Sequence, residues 1–107
     1  MKELINTALD ISRDDHKPTL FKLAKLQEEG GELAEAVLHH EGFLPHKTMK
    51  EPLVGEVADV ILVALDILRA CHPDMNNEEL ISLLSYQLEL KSKKWRKILP
   101  ERVVSND

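Results

Sequence analysis

The chain has 107 residues, 43% of them hydrophobic and 31% charged, which is enough for one folded domain and too little for two separate cores. Fourteen basic against nineteen acidic residues give a net charge of −5, which argues against general binding to nucleic acid or to an anionic membrane. Leu occurs eighteen times and only four residues are aromatic, so the composition favours an all-α fold over a β-sandwich or barrel.

The single cysteine, Cys71, excludes an intramolecular disulfide and a cysteine-based zinc site. It fits a reducing compartment, so we expect a cytoplasmic protein. The N-terminal residues show no apolar segment typical of a signal peptide. The longest apolar segment, residues 57–68, contains two aspartates and is too short to cross a bilayer. We therefore expect neither secretion nor membrane insertion.

Apolar periodicity and helix-breaking residues predict four helices. The first covers about residues 4–14. The second begins at Thr19, interpreted as its N-cap, and runs to about His40. Gly42, just after that point, is a typical helix terminator. Because the first predicted helix ends near residue 14 and the second begins at Thr19, only a few residues separate them.

The third predicted helix follows a loop and runs to about Ala70. Thr48 and Glu51 have the spacing of a capping box at its start. Between Val57 and Leu68 the helix is apolar on nearly every side, and the other helices of so short a chain can hardly cover it. We therefore predict that a second copy covers the rest, and that the protein is a homo-oligomer, either a dimer or a tetramer.

The fourth predicted helix opens with a second capping box, formed by Asn76 and Glu79, and runs to about Ile98. The fold class predicted is all-α, a small four-helix bundle. It forms one domain over residues 1–100, followed by a flexible tail over residues 101–107.

Two pairs of acidic residues lie on the predicted helices where an apolar face is expected. Glu29 and Glu32 are three residues apart on one flank of the second helix. Glu56 and Asp59 repeat this spacing on the third helix. Buried carboxylates that repel one another persist only with protons or a counter-cation, and oxygen ligands select Mg²⁺, or Mn²⁺ in its place, before zinc. A solvated helix face, supported by Lys25 one turn before Glu29, is the alternative interpretation.

Glycines and lysines complete the predicted site. Gly30, Gly31 and Gly55 adjoin the acids, and a close approach of the helices would explain them. A tolerated kink at the first two and a frayed first turn at Gly55 explain them equally well. On the fourth helix, Lys91 falls within the apolar stripe and Lys94 lies at its edge. Both lysines are predicted to face inward, where they would help to hold a polyphosphate. The alternative is that each side chain extends past the apolar stripe to solvent.

Two segments carry a resemblance to a known family. Residues 29–35, EGGELAE, followed by residues 55–60, GEVADV, resemble the ExxE and ExxD motifs of the MazG-like, all-α nucleoside triphosphate pyrophosphatases. The likeness covers roughly residues 16–96. It implies a helical dimer or tetramer that uses Mg²⁺ to hydrolyse nucleoside or deoxynucleoside triphosphates to the monophosphate and pyrophosphate, often to clean the nucleotide pool.

The resemblance also implies functional residues. The implied metal ligands and catalytic centre are Glu29, Glu32, Glu56 and Asp59. Lys91 and Lys94 are similar to the basic residues that the family places near the substrate phosphates. The Trp-containing segment that many longer members carry before the first acidic motif is missing, and His16 and Lys17 occupy that region as weaker candidates for substrate contact.

Alternative functions follow from the same residues. The acidic motifs indicate the metal and not the base, so a phosphoribosyl-ATP pyrophosphatase or a dUTPase-like enzyme fits the resemblance equally. A non-catalytic helical oligomer that binds another protein through its apolar third helix fits the composition.

Overall fold

The computed structural model describes residues 1–101, which contain four helices and no strand. The helices are α1 (Lys2–Asp14), α2 (Thr19–His40), α3 (Leu53–Cys71) and α4 (Asn77–Ile98). The predicted all-α, four-helix fold is therefore confirmed over the described residues. The tail predicted for residues 101–107 lies outside them, except for the exposed Glu101. In this part of the chain, no helix combines the length and the apolar character that crossing a membrane requires.

Two of the predicted N-caps are wrong. Thr19 is the first helical residue of α2, and Pro18 occupies the N-cap position. The capping box of Thr48 and Glu51 does not form, because α3 begins only after Pro52. A proline disfavours the helical conformation in the residue before it, so Glu51 stays outside the helix.

The other two predicted helix ends are confirmed. The Asn76 side chain accepts a hydrogen bond from the Glu79 backbone N–H at 2.8 Å, and the Glu79 carboxylate accepts one from the Asn76 N–H at 3.2 Å. After α2, Gly42 adopts a φ of +86°, which glycine tolerates without strain. This turn lets the Phe43 N–H donate to the Leu38 carbonyl at 2.9 Å and close the helix end.

The apolar core lies between α1, α3 and α4. Its buried members are Leu9, Leu65, Leu80 and Ile81. The seam between α2 and α3 has a different composition, although these two helices share the most extensive contact. The buried residues of α2 are Lys22, Glu29 and Ala36. Ionisable side chains therefore occupy the α2–α3 seam, and the apolar core lies on the far side of α3.

The second half of α4 projects from the rest of the chain. Residues 85–101 are all exposed, and the helix packs mainly on α1 through its first turns. Consequently Leu88, Trp95 and Ile98, which continue the apolar stripe of α4, are 55%, 66% and 74% exposed. The radius of gyration is 17.3 Å, whereas a compact chain of this length has about 13 Å. The single chain is therefore elongated and leaves an apolar stripe uncovered.

Candidate metal centre

Four carboxylates meet in the seam between α2 and α3. Glu29 and Glu32 come from α2, and Glu56 and Asp59 come from α3. One oxygen of each lies within 4.8 Å of the others. This spread is about the width of the oxygen shell around one Mg²⁺ or Ca²⁺ ion, whose bonds to oxygen are roughly 2.0–2.6 Å long. The structure thus brings together all four residues predicted from the spacing, here called the acid cluster.

Two members of the acid cluster are buried without enough partners. Glu29 is 6% exposed and Glu56 is 9% exposed. The Oε2 atom of each is inaccessible to water and has no hydrogen-bond partner within residues 1–101. A buried carboxylate oxygen without a partner carries a large desolvation penalty, so both atoms are suited to bind a cation.

Lys25 is the basic side chain that forms an ion pair with the acid cluster in the described chain. Its Nζ lies 3.1 Å from Glu29 Oε1, as predicted for residues one turn apart, and 3.6 Å from Glu28 Oε1. A hydrogen bond to Glu29 is the main influence that raises the pKa of Lys25 above 10.5, and the charge of Glu28 is the next. One ammonium group against four carboxylates leaves the acid cluster strongly negative.

Repulsion within the acid cluster affects Glu32 directly. The charge of Glu29 is the largest of the influences that raise the pKa of Glu32 above 4.5. Desolvation and a hydrogen bond shared with Glu29 follow, and the charges of Glu56 and Glu28 add to them. A divalent cation among these oxygens would oppose this shift, because it favours the ionised carboxylate.

A fifth carboxylate, that of Glu51, lies beside the acid cluster. From the sequence, Glu51 is predicted only as part of a helix cap. The charge of Asp59, then a side-chain hydrogen bond with Asp59, raise the pKa of Glu51 above 4.5, and the charges of Glu56 and Glu29 contribute. The proline at position 52 was the available signal, because it forces the helix to begin after Glu51.

The predicted substrate contacts lie outside the acid cluster. Lys91 and Lys94 are exposed in the projecting half of α4, so the prediction that they face inward is wrong for the single chain. His16 is exposed between α1 and α2. Lys17, in the same segment, pairs with Asp15 at 3.3 Å and borders a cleft.

This cleft of about 680 Å³ opens between α1, α2 and α3. Phe21, Leu62 and Val63 are among its apolar lining residues. Lys25 and Glu28 also line it, so it adjoins the acid cluster through the Lys25–Glu29 ion pair. Its volume is typical of a small-molecule site.

An ion pair between the buried Lys22 and the partly buried Asp66 forms the polar wall of the cleft. Lys22 is 3% exposed, and its Nζ donates to Asp66 Oδ1 at 2.7 Å and to the Asp15 carbonyl at 2.9 Å. The Ser12 hydroxyl also donates to Asp66. Lys22 and Asp66 are not among the residues predicted for the site, although Lys22 lies seven residues before Glu29 and therefore on the same helix face.

The three glycines do not share one explanation. A Cβ built on Gly30 or Gly31 would meet nothing within 4 Å, so the expected close approach of helices is wrong at both positions. A Cβ built on Gly55 would lie 3.2 Å from Glu51 Oε2. Gly55 therefore makes room for a neighbouring side chain.

Comparison with protein families, curated proteins and solved structures finds no match in any of the three. The likeness of residues 29–35 and 55–60 to the MazG-like motifs stays a resemblance between short patterns. The acid cluster and the cleft are accordingly the features of the molecule that bear on its function.

Proposed function

We propose that this protein is a Mg²⁺-dependent hydrolase that splits nucleoside or deoxynucleoside triphosphates into the monophosphate and pyrophosphate. The observation that carries the proposal is the pair of buried oxygens without partners, Glu29 Oε2 and Glu56 Oε2, within a group of four carboxylates. Such oxygens call for a cation, and an all-oxygen donor set suits Mg²⁺, with Mn²⁺ as a substitute. The resemblance to the MazG-like motifs supplies the reaction type.

The acid cluster is the part of the site that would bind the metal ion. Glu29, Glu32, Glu56 and Asp59 would hold the ion, and Mg²⁺ when bound supplies charge neutralisation of the triphosphate and activation of a water molecule. The seam between α2 and α3 keeps the four carboxylates in one place, and burial keeps competing water away from Glu29 and Glu56.

The cleft beside the acid cluster supports a nucleotide substrate. Its apolar wall, which includes Phe21 and Leu62, offers a surface for a base. Lys17 and Lys25 line the same cleft, and their ammonium groups suit the phosphates, whose negative charge the acid cluster alone would repel.

We propose in addition that the protein assembles as a dimer or a tetramer. In the single chain, Val54, Val57 and Ile61 of α3 are 73%, 39% and 53% exposed. Apolar surface on this scale favours burial by another copy. Lys91 and Lys94 remain predicted phosphate contacts for such an assembly, in which α4 of one copy extends towards another.

A role in cleaning the nucleotide pool would place the protein in the cytoplasm. The lone, exposed Cys71 is compatible with a reducing environment.

The test is the release of pyrophosphate from a panel of nucleoside and deoxynucleoside triphosphates, with and without Mg²⁺. The panel includes dUTP and phosphoribosyl-ATP, because the acid cluster does not select a base. Glu56→Gln and Asp59→Asn should each abolish Mg²⁺-dependent release while the variants stay folded. Glu41→Gln, a matched change at an exposed acid, should keep full activity. Full activity in the Glu56→Gln/Asp59→Asn double variant would refute the proposal.

The exposed apolar residues of α3 also favour a second candidate, a non-catalytic module that binds another protein. Thermal melts separate the two functions. A true Mg²⁺ site should gain roughly 2.7 kcal/mol of stability at 100 times the dissociation constant. No shift with Mg²⁺ or Mn²⁺ would favour the interaction module.

A further inference from the structure

The geometry points to Asp66 as the residue that selects the base of the substrate, by accepting a hydrogen bond from an amino group on the edge of that base. This inference rests on the proposed function, because it requires a nucleotide in the cleft beside the acid cluster. It narrows the substrate class to nucleotides whose base carries an exocyclic amino group, as cytosine, adenine and guanine do.

The Lys22–Asp66 pair lies two helical turns from the acid cluster along the same seam. Lys22 comes seven residues before Glu29 on α2, and Asp66 comes seven residues after Asp59 on α3. Lys22 meets Asp66 as Glu29 meets Asp59, so the helices run antiparallel and both members of the pair are shifted in one direction, by about 10 Å. Lys25 lines the cleft and pairs with Glu29, so the cleft connects the two groups. A nucleotide needs this arrangement, because its sugar separates the base from the phosphates.

The Asp66 carboxylate keeps one oxygen for a ligand. Its Oδ1 atom accepts hydrogen bonds from the Lys22 ammonium group, at 2.7 Å, and from the Ser12 hydroxyl. Its Oδ2 atom has no hydrogen-bond or ion-pair partner within residues 1–101. The side chain lines the cleft and is 22% exposed. Two donors on Oδ1 hold the carboxylate in one orientation, so Oδ2 is an acceptor at a defined place.

A purely structural role uses only half of this group. Lys22 is 3% exposed, so its charge requires a partner, and Asp66 Oδ1 supplies that partner. Asp66 Oδ2 is not needed for this purpose. A base that entered the cleft would strip water from this oxygen, and only a donor on the base would replace the lost hydrogen bond. Asp66 therefore disfavours a base that presents no donor there.

An amino group is the donor that fits a carboxylate oxygen at this position. Cytosine, adenine and guanine each donate an N–H from an amino group at the edge of the base. Uracil and thymine carry a carbonyl oxygen where cytosine carries its amino group, and that oxygen would face the Asp66 carboxylate as a second acceptor. Their ring N–H lies between two carbonyl groups, so it also brings a carbonyl oxygen towards the carboxylate.

The experiment compares deoxynucleoside triphosphates in pairs that differ in whether the base carries the amino group. The pairs are dCTP with dUTP, dATP with dITP, and dGTP with dITP. The value of kcat/KM for pyrophosphate release is measured with Mg²⁺ for each substrate. The original protein should prefer the amino member of at least one pair by about tenfold or more, as expected for a hydrogen bond to a charged group. The pair with the preference identifies the base.

Asp66→Asn is the decisive variant. Lys22 and Ser12 both donate to Oδ1, so they should hold the amide oxygen on their side and turn the amide N–H₂ into the cleft. The variant then donates where the original protein accepts, and the preference for the amino member should fall by about tenfold or reverse. Asp74→Asn, at an exposed aspartate outside the cleft, is the matched control and should keep the original preference.

Circular dichroism checks that the variants are folded. If Asp66→Asn is not, Ser12→Ala decides the outcome, because the loss of one donor to Oδ1 loosens the carboxylate and should reduce the preference. An original protein that hydrolyses both members of every pair equally well would overturn the inference, whatever the variants do.

A binding measurement separates this inference from the proposed function. Calorimetry with dCMP, dUMP, dAMP, dGMP and dIMP reports the base preference without any hydrolysis. If no triphosphate is split but an amino-bearing monophosphate binds better and Asp66→Asn removes that advantage, the proposed function falls and the role of Asp66 stands. If triphosphates are split with no preference, or with one that Asp66→Asn leaves unchanged, Asp66 does not select the base and the proposed function stands. If neither hydrolysis nor binding occurs, both fall.

Discussion

Repulsion by neighbouring carboxylates raises the pKa of two single residues, Glu32 and Glu51. Each has a pKa above 4.5 in the folded chain, because the charges of Glu29 and of Asp59, respectively, are close by. In the unfolded chain that repulsion is absent. The folded form therefore holds its protons more tightly, and the stability that these two groups contribute below pH 4.5 is lost as the pH rises through their raised pKa values.

We expect the melting temperature of the metal-free protein to show this loss as the pH increases above 4.5. The Glu32→Gln/Glu51→Gln double variant should show a smaller fall over the same range, because two of the repelling charges are gone. Thermal melts in a chelating buffer measure both proteins. Identical pH profiles would contradict the assigned repulsion, and added Mg²⁺ should flatten the profile of the original protein alone.

The Lys22–Asp66 pair predicts a stability effect of another kind. Asp66→Ala removes the carboxylate and leaves a buried ammonium group with the Asp15 carbonyl as its remaining acceptor. We expect a loss of about 3 kcal/mol in the free energy of unfolding, measured in urea. Glu89→Ala breaks the exposed pair with Lys93, at 3.1 Å, and should change stability by less than about 0.5 kcal/mol. Equal losses in the two variants would show that the burial of Lys22 has no energetic consequence.

At the scale of elements, the helix boundaries depend on caps and prolines. Asn76 holds the start of α4 through a reciprocal pair of hydrogen bonds, whereas Thr48 lies in the loop before Pro52 and caps nothing. Asn76→Ala should therefore cost about 1 kcal/mol of stability, and Thr48→Ala should leave it unchanged. Urea unfolding of the two variants checks this difference. A comparable loss in both would mean that the loop before α3 has a structural role of its own.

Periodicity was sufficient to predict the four helices and to pair the acids. The spacing of three residues places Glu29 with Glu32, and Glu56 with Asp59, on one side of a helix whatever the tertiary structure. The burial of Glu56 and the partial burial of Asp59 followed from the apolar character of α3. The meeting of the two pairs required only that α2 and α3 pack side by side.

The remaining features depend on contacts that periodicity does not contain. A helical projection places Lys91 on the apolar stripe of α4, but it does not say how far along the helix that stripe is covered, and within residues 1–101 its second half is exposed. The Lys22–Asp66 pair joins residues 44 positions apart. Glu51 lies outside any helix, so no periodic pattern could place its carboxylate near Asp59.

At the scale of the whole molecule, the chain is elongated and residues 85–101, in the second half of α4, are exposed. The chain extends 51 Å along its longest axis, and Trp95 stands 66% exposed near the end of the projecting helix. A lone chain of this form exposes much of its apolar surface to water, which favours association.

We therefore expect light scattering at micromolar concentration to report a dimer or a tetramer. Trp95→Glu should shift the population towards the monomer, because it places a charge on the apolar stripe of α4. Lys97→Glu, on the opposite face of the same helix, is the matched control and should leave the assembly intact. A stable, folded monomer of the original protein would overturn the proposed assembly.

The polar seam of α2 has a consequence for the order in which we expect the helices to unfold. The apolar residues that hold α1, α3 and α4 together do not include α2, which meets α3 through Lys22, Glu29 and their neighbours. If a divalent ion bridges the seam, a chelator should release α2 first and leave a three-helix remnant. Amide hydrogen exchange would then speed up in α2 ahead of α3. The supply of metal ions would in this way govern how long the protein persists in a cell that degrades loosened chains.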